Sequence, residues 1–101
     1  MSEDRLRETV VVSNPQGLHA RPADMFVKLA SRFESTVGVV KGNERVDGKS
    51  ILAILTLGAE KGTEIAIEAI GSDAADALQA LVDLVKDGFV EDEEDELVDQ
   101  Q

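Results

Sequence analysis

The first third of the chain shows a β-branched run, a turn sequence and an apolar stripe at helical spacing. Residues 6–13 are rich in β-branched side chains and end at the Asn-Pro-Gln-Gly sequence of residues 14–17, which predicts a strand followed by a turn. A helix should begin near residues 20–22, because proline is tolerated in a first helical turn. Its buried stripe should consist of Phe26, Leu29, Ala30 and Phe33.

Residues 37–47 predict a β-hairpin centred on the Gly-Asn pair of residues 42–43. Such a pair between two strand-like segments is typical of a two-residue hairpin turn. The resulting register places Lys41 opposite Glu44, and the valines two positions further out also face each other. One pair is matched in charge and the other is apolar, so the register is self-consistent.

The following residues predict a short helix and a half-buried strand. Leucine and alanine outnumber β-branched residues in the apolar segment 50–57, and Ser50 is a good N-cap, so we expect a helix there. Residues 63–69 alternate between glutamate and apolar side chains, which predicts a strand with Glu64 and Glu68 directed outward.

A last helix should begin at Ser72, a good N-cap, and end at Gly88, since glycine suits the position just after a helix. Its apolar stripe consists of Ala74, Ala77, Leu78, Leu81, Val82 and Val85. The predicted order is β-α-β-β-α-β-α. Together with the central hairpin, this order indicates an α+β fold in which helices cover one face of an antiparallel sheet.

Composition and charge indicate one domain, residues 1–90, followed by an acidic tail, residues 91–101. A chain of 101 residues with 43% hydrophobic residues supports a single core. Seven acidic and no basic residues lie in the tail. The first 90 residues carry 14 acidic and 10 basic side chains, so they account for about −4 of the total net charge of −11. We expect the tail to be disordered, and the negative charge argues against nucleic acid and anionic membranes as partners.

Several classes of site and location are excluded or disfavoured by composition. The chain has no cysteine and one histidine, so it cannot form a disulfide or a structural zinc site, and we expect no metal and no cofactor. It shows no signal-peptide pattern and no apolar stretch near the roughly 20 residues that span a bilayer, so we expect a cytoplasmic location. The Gly-Lys-Ser sequence of residues 48–50 is not a nucleotide-binding loop, because Asn43 stands where that loop needs glycine.

His19 lies at the predicted junction between the turn and the first helix. An isolated histidine is most often an incidental surface residue, but the first amides and the dipole of a helix favour an anion at this place. Arg21 adds a guanidinium that can grip two oxygens of a phosphoryl group. Gly17 allows the sharp turn, and Pro22 fits the first helical turn. Since a neutral imidazole is a nucleophile, the segment can accept a phosphoryl group.

Ser50 and the segment after it are a second candidate site. The serine can cap the helix and can also be phosphorylated, and the two roles are compatible. The five large apolar residues of so short a helix are too many for one face, so some should be exposed as a docking patch. The alternative is that all of them are buried beneath loops.

Residues 14–23 and 48–58 resemble two motifs of the histidine-containing phosphocarrier (HPr) family of the bacterial phosphoenolpyruvate-dependent sugar phosphotransferase system. The first resembles the active-site signature and the second the regulatory-serine segment. The similarity covers roughly residues 6–89. It implies an open-faced β-sandwich, with a four-stranded antiparallel sheet covered on one face by three helices.

The resemblance also implies roles and partners. His19 would accept a phosphoryl group from phosphorylated enzyme I and pass it to an enzyme IIA, with Arg21 in contact with the phosphate. Ser50 would be the serine that an HPr kinase/phosphorylase modifies. The protein would be a monomeric carrier and not an enzyme. The exposed docking positions of the family fall on Ile51, Leu52 and Leu55.

Other interpretations of the sequence differ in partners or in class. A nitrogen-branch phosphocarrier and a purely regulatory HPr-like binding protein remain open as alternatives. An acyl carrier protein is also small and acidic, but such carriers are all-helical and have aspartate directly before the modified serine, where Lys49 stands. Leu52 and Leu55 occupy positions where low-GC Gram-positive members of the family usually have methionine, and the acidic tail extends past the usual end of the family.

Overall fold

The computed structural model describes residues 4–90, which form a four-stranded antiparallel sheet and three helices in the predicted order. The expected disorder of residues 91–101 concerns a segment outside the described residues. None of the helices in residues 4–90 is long and apolar enough to cross a bilayer. The elements are β1 (Asp4–Val11), α1 (Ala20–Ala30), β2 (Thr36–Lys41), β3 (Glu44–Asp47), α2 (Ile51–Leu57), β4 (Glu64–Gly71) and α3 (Ala74–Lys86).

The sheet has the strand order β1-β4-β2-β3. The two longest strands, β1 and β4, pair along their whole length, from Asp4 opposite Gly71 to Val11 opposite Glu64. The hairpin of β2 and β3 has the register predicted from the sequence, with Lys41 opposite Glu44 and the two valines paired. The predicted open-faced α+β architecture is therefore confirmed.

The core lies between one face of the sheet and the helices. All six residues of the predicted α3 stripe are buried. Of the predicted α1 stripe, Phe26 and Ala30 are buried, but Leu29 and Phe33 are only partly buried. Phe33 lies in the turn after the helix, because α1 ends at Ala30. The strands contribute Val10, Val37, Val39, Ile65, Ile67 and Ala69.

Glu68 is directed outward on the open face of the sheet, as the alternation of residues 63–69 predicts, but it is not exposed. Its relative exposure is 8%, because Arg7 on β1 and Arg45 on β3 form ion pairs with the two carboxylate oxygens, each at 2.5 Å. Gly38 on the intervening strand lacks a side chain, so Arg45 can lie across β2. Glu64, by contrast, is exposed as predicted.

Ser72 does not cap α3, contrary to the sequence prediction. The N-cap residue is Asp73, and its carboxylate makes no hydrogen bond to its own helix. Instead it accepts hydrogen bonds from the backbone N–H groups of Glu34 and Ser35, both at 2.9 Å, and from the Ser35 hydroxyl. These hydrogen bonds from Asp73 hold the loop after α1 against the start of α3.

The Ser35 hydroxyl, followed by the Glu34 amide, holds the pKa of Asp73 below its ordinary value. A carboxylate with a lowered pKa contributes stability that is present above its unfolded pKa and lost as the pH falls through the folded pKa. We predict that Asp73→Asn lowers the free energy of unfolding at neutral pH. The difference from wild type should shrink as the pH falls below 3.8, the ordinary aspartate value.

Urea unfolding at several pH values measures this effect, and Asp76→Asn on the exposed first turn of α3 is the control. A difference between wild type and Asp73→Asn that stays constant down to the acid limit of folding would contradict the role of the carboxylate.

Candidate functional site

The turn before α1 is held by hydrogen bonds to backbone atoms. The Asn14 carbonyl accepts from the Gly17 N–H at 3.1 Å, and Asn14 Nδ2 donates to the Gly17 carbonyl at 2.8 Å. The Leu18 N–H donates to the Ala59 carbonyl at 2.8 Å, which joins the turn to the loop before β4. Leu18 itself is 3% exposed. The residue before His19 is therefore anchored both by its backbone and by its side chain.

His19 is the N-cap residue of α1, in agreement with its predicted place at the start of the helix. Its backbone is extended, and its carbonyl accepts the Ala23 N–H at 2.9 Å. The imidazole makes no capping hydrogen bond and is exposed. The first helical turn contains no acidic residue that would repel an anion at this end of α1.

Arg21 is exposed and lines a groove of about 460 Å³ between the turn before α1 and the end of α3. The structure thus places Arg21 and Pro22 beside Gly88 and Phe89, which are distant in sequence. Here we call this cavity the Arg21 groove. It is lined by Asn14, Pro15, Gln16, Arg21, Pro22, Met25, Gly88 and Phe89.

The end of α3 closes one side of the Arg21 groove. Gly88 follows the helix with φ +76° and donates to the Val85 carbonyl at 3.0 Å, so its predicted place is confirmed. Phe89 also has a positive φ, +60°, which costs a residue with a side chain roughly 1–2 kcal/mol. Phe89 is 7% exposed, and burial of a phenylalanine contributes about 1.5–3 kcal/mol, enough to offset that strain.

Ser50 caps α2 as predicted, because its Oγ accepts a hydrogen bond from the Ala53 N–H at 3.2 Å. Ile54 and Leu57 are buried. The remaining large residues of α2 are exposed. The alternative that all five large apolar residues are buried beneath loops is therefore wrong. Their relative exposures are 38% for Ile51, 69% for Leu52 and 36% for Leu55. We call these three residues the α2 patch.

Sequence reasoning did not identify three residues that shape the site. The Asn-Pro-x-Gly sequence indicates Asn14 only as part of a turn, whereas in the structure its side chain also holds Gly17. Ala59 and Phe89 reach the site from distant loops, and no local signal indicates this. Within residues 4–90, no group of three or more metal-binding side chains lies together.

An open-faced α+β domain with an exposed histidine at the start of a helix is typical of the histidine phosphocarrier class. The chain belongs to the HPr family of the phosphotransferase system, since the family model described as "PTS HPr component phosphorylation site" matches residues 6–87. The phosphocarrier protein HPr of Neisseria meningitidis serogroup A is 44% identical over 88 residues, which cover 87% of this chain and 99% of the relative.

Solved structures agree with this assignment. HPr-C-His from Thermoanaerobacter tengcongensis has a TM-score of 0.82 and 42% identity, covering 86% of this chain and 98% of that chain. An HPr dimer from the same organism has a TM-score of 0.69 and 44% identity, covering 81% of this chain and 94% of that chain.

Gly17 is the residue of this turn that tolerates a side chain least. Its φ is +65°, and a Cβ there would lie 2.6 Å from the Ala59 carbonyl oxygen and 2.7 Å from the Glu60 Cα. We predict that Gly17→Ala destabilises the protein by about 2 kcal/mol or more, since strain and a clash with backbone add together. Thermal or urea unfolding measures this.

Gly42→Ala is the matched control. Gly42 has φ +59°, almost the same backbone conformation, but nothing lies within 4 Å of the added Cβ. Its cost should therefore be conformational only, about 1 kcal/mol. Equal losses in the two variants would mean that contact with the loop before β4 does not restrict the turn.

Proposed function

We propose that this protein is a phosphocarrier that accepts a phosphoryl group from phosphorylated enzyme I on His19 and passes it to an enzyme IIA. The observation that carries the proposal is the exposed imidazole at the N-cap of α1, which makes no capping bond. A nucleophile that serves two partners in turn must be reachable from outside. Membership of the HPr family supplies the class of donor and acceptor.

In the proposed reaction an imidazole nitrogen of His19 attacks phosphorus, and the bond from phosphorus to the donor breaks as the new P–N bond forms. Transfer to enzyme IIA reverses these roles. During transfer the phosphoryl group is stabilised mainly by the positioning of the reactants and by nearby positive charge. Arg21 can bond two phosphoryl oxygens, and the first amides of α1 can donate to an oxygen. The protein leaves each half-reaction chemically changed, so it is a carrier and not a catalyst.

We assign docking of the partners to the α2 patch. Leu52 is the most exposed residue of the patch, and a large apolar side chain at 69% exposure gains free energy when a partner covers it. Helices α1 and α2 are in contact, so the patch and His19 lie on neighbouring elements. A partner that covers α2 can therefore also reach the start of α1.

Ser50 is the proposed regulatory site, to be phosphorylated by an HPr kinase/phosphorylase. Phosphorylation would add about −1.5 to −2 charges directly before Ile51 and Leu52. A partner that docks on the α2 patch must then desolvate this charge. Docking should weaken, although the fold and His19 remain unchanged.

The other assignments rest on the family. We propose that the carrier acts as a monomer in the cytoplasm, as the sequence analysis predicts. The dimer named for the Thermoanaerobacter relative belongs to that protein, and a sedimentation measurement on this chain decides its own state. A nitrogen-branch carrier would share this chemistry and would differ only in its enzyme I and acceptor. A purely regulatory protein would have no use for the imidazole.

The central prediction is that incubation with phosphoenolpyruvate and enzyme I places one acid-labile phosphoryl group on the protein, and that His19→Ala abolishes the labelling. Ser50→Ala is the control and should label as wild type does. The label is measured by mass spectrometry with site mapping. Labelling that survives in His19→Ala would contradict the proposed acceptor.

A second prediction concerns Ser50→Asp, which places a carboxylate beside the α2 patch. Phosphorylation of His19 by enzyme I should become slower, chiefly through weaker binding, because the partner must cover a charge. Ser72→Asp adds the same charge at an exposed turn away from α2 and should leave the rate unchanged. Circular dichroism checks that both variants are folded. Equal rates in wild type and folded Ser50→Asp would remove Ser50 from the docking surface.

A further inference from the structure

We infer that the acidic tail, residues 91–101, binds in the Arg21 groove of the unphosphorylated protein and competes there with an incoming phosphoryl group. The occupant is thus a segment of this same chain. The binding itself is independent of the proposed function, whereas the competition rests on it.

The path of the chain brings the tail to the groove. Gly88 and Phe89 form one wall of the groove, and Val90 is the last described residue. Both Gly88 and Phe89 have positive φ values, and the Phe89 side chain is buried, so the backbone is held in place close to the last described residue. Glu93 is three residues beyond Val90, and three residues span at most about 10 Å even when fully extended. The first acidic residues of the tail are therefore within reach of the groove.

The groove and the tail are complementary in charge. Arg21 is the only charged residue among the described residues that line the groove. The tail contains seven carboxylates and no basic side chain, and six of the seven are consecutive, from Glu91 to Glu96. A carboxylate can bond a guanidinium through two parallel hydrogen bonds, as a phosphoryl group can. The tail thus supplies many equivalent anions for one cationic position.

The groove also offers features that suit a peptide better than a free anion. Pro22, Met25 and Phe89 give it an apolar lining, and the tail carries an apolar pair, Leu97 and Val98. A peptide can place apolar side chains on this lining, whereas a free phosphate ion cannot.

Attachment makes even a weak interaction effective. Two groups joined by a short length of chain have an effective concentration of the order of millimolar for each other. The tail therefore needs only a weak intrinsic affinity to occupy the groove for much of the time. Such occupancy stabilises the unphosphorylated form alone, and by linkage it lowers the equilibrium constant for phosphorylation of His19 by the same factor.

The first test is a binding measurement that needs no phosphoryl transfer. Because the chain has no cysteine, Gln100→Cys accepts a single nitroxide label in the tail. At low salt the label should broaden the NMR signals of Arg21, Met25 and Phe89 more than that of Ser35, which lies past the other end of α1 and beside the start of α3. The broadening should disappear at about 0.5 M NaCl, where the Debye length is only about 4 Å. Uniformly weak broadening at low salt would overturn the inference whether or not His19 is phosphorylated.

The second test uses two variants with the same change in net charge. One replaces Glu91, Glu93 and Glu94 of the tail by glutamine, and the other replaces the exposed body residues Glu34, Glu44 and Glu64. The equilibrium of phosphorylation by a small phosphoryl donor such as phosphoramidate should shift towards phosphohistidine about two- to fivefold in the tail variant, the range of exposed ion pairs. The body variant should stay near wild type.

Equal shifts in both variants would show a general effect of charge and would overturn the competition. If neither the wild type nor either variant formed phosphohistidine, the result would contradict the proposed function instead. The nitroxide measurement would still decide whether the tail binds.

Discussion

The candidate site depends on the close approach of two loops, the turn before α1 and the loop before β4. Val12 extends the pairing of β1 with β4 past the ends of the strands through backbone hydrogen bonds to that loop. The Ala59 carbonyl then accepts a hydrogen bond from the Leu18 N–H. The two loops lie so close together at Gly17 that a side chain at this position would not fit between them. His19 follows at once. Its position is therefore set by these backbone hydrogen bonds, by the sheet pairing and by the buried Leu18 side chain.

Helix α2 shows how a surface can expose apolar residues and still be ordered. An isolated helix of seven residues is unstable in water, so its order must come from its ends and its buried face. Ser50 caps the first turn, and Lys41 Nζ donates to the Leu57 carbonyl at 3.2 Å at the other end. Gly58 ends the helix with φ +68°. Because these contacts hold the helix, Leu52 need not pack inward and remains available to a partner.

The features predicted correctly from the sequence depend on neighbouring residues. The start of α1, the Ser50 cap and the turn at residues 42–43 each have a signal within about four positions. The features that local patterns do not indicate concern residues whose partners are far away in sequence. Asp73 binds Ser35, 38 residues away, and Glu68 binds Arg7, 61 residues away. A local pattern cannot indicate which acid a distant loop will use, nor which glutamate two arginines will cover.

Exposure of the site also sets how strongly it can hold a phosphoryl group. For the proposed carrier, two different partners must reach the same nitrogen, so His19 and Arg21 have to remain at the surface. An ion pair at an exposed position contributes at most about 1 kcal/mol, because water screens it. A buried site with several cations would bind the group more tightly and release it more slowly. Arg21, the one charged side chain among the described residues that line the groove, is therefore suited to a group that must be passed on. At such an exposed cation an acidic segment would need only a comparable, weak interaction to compete.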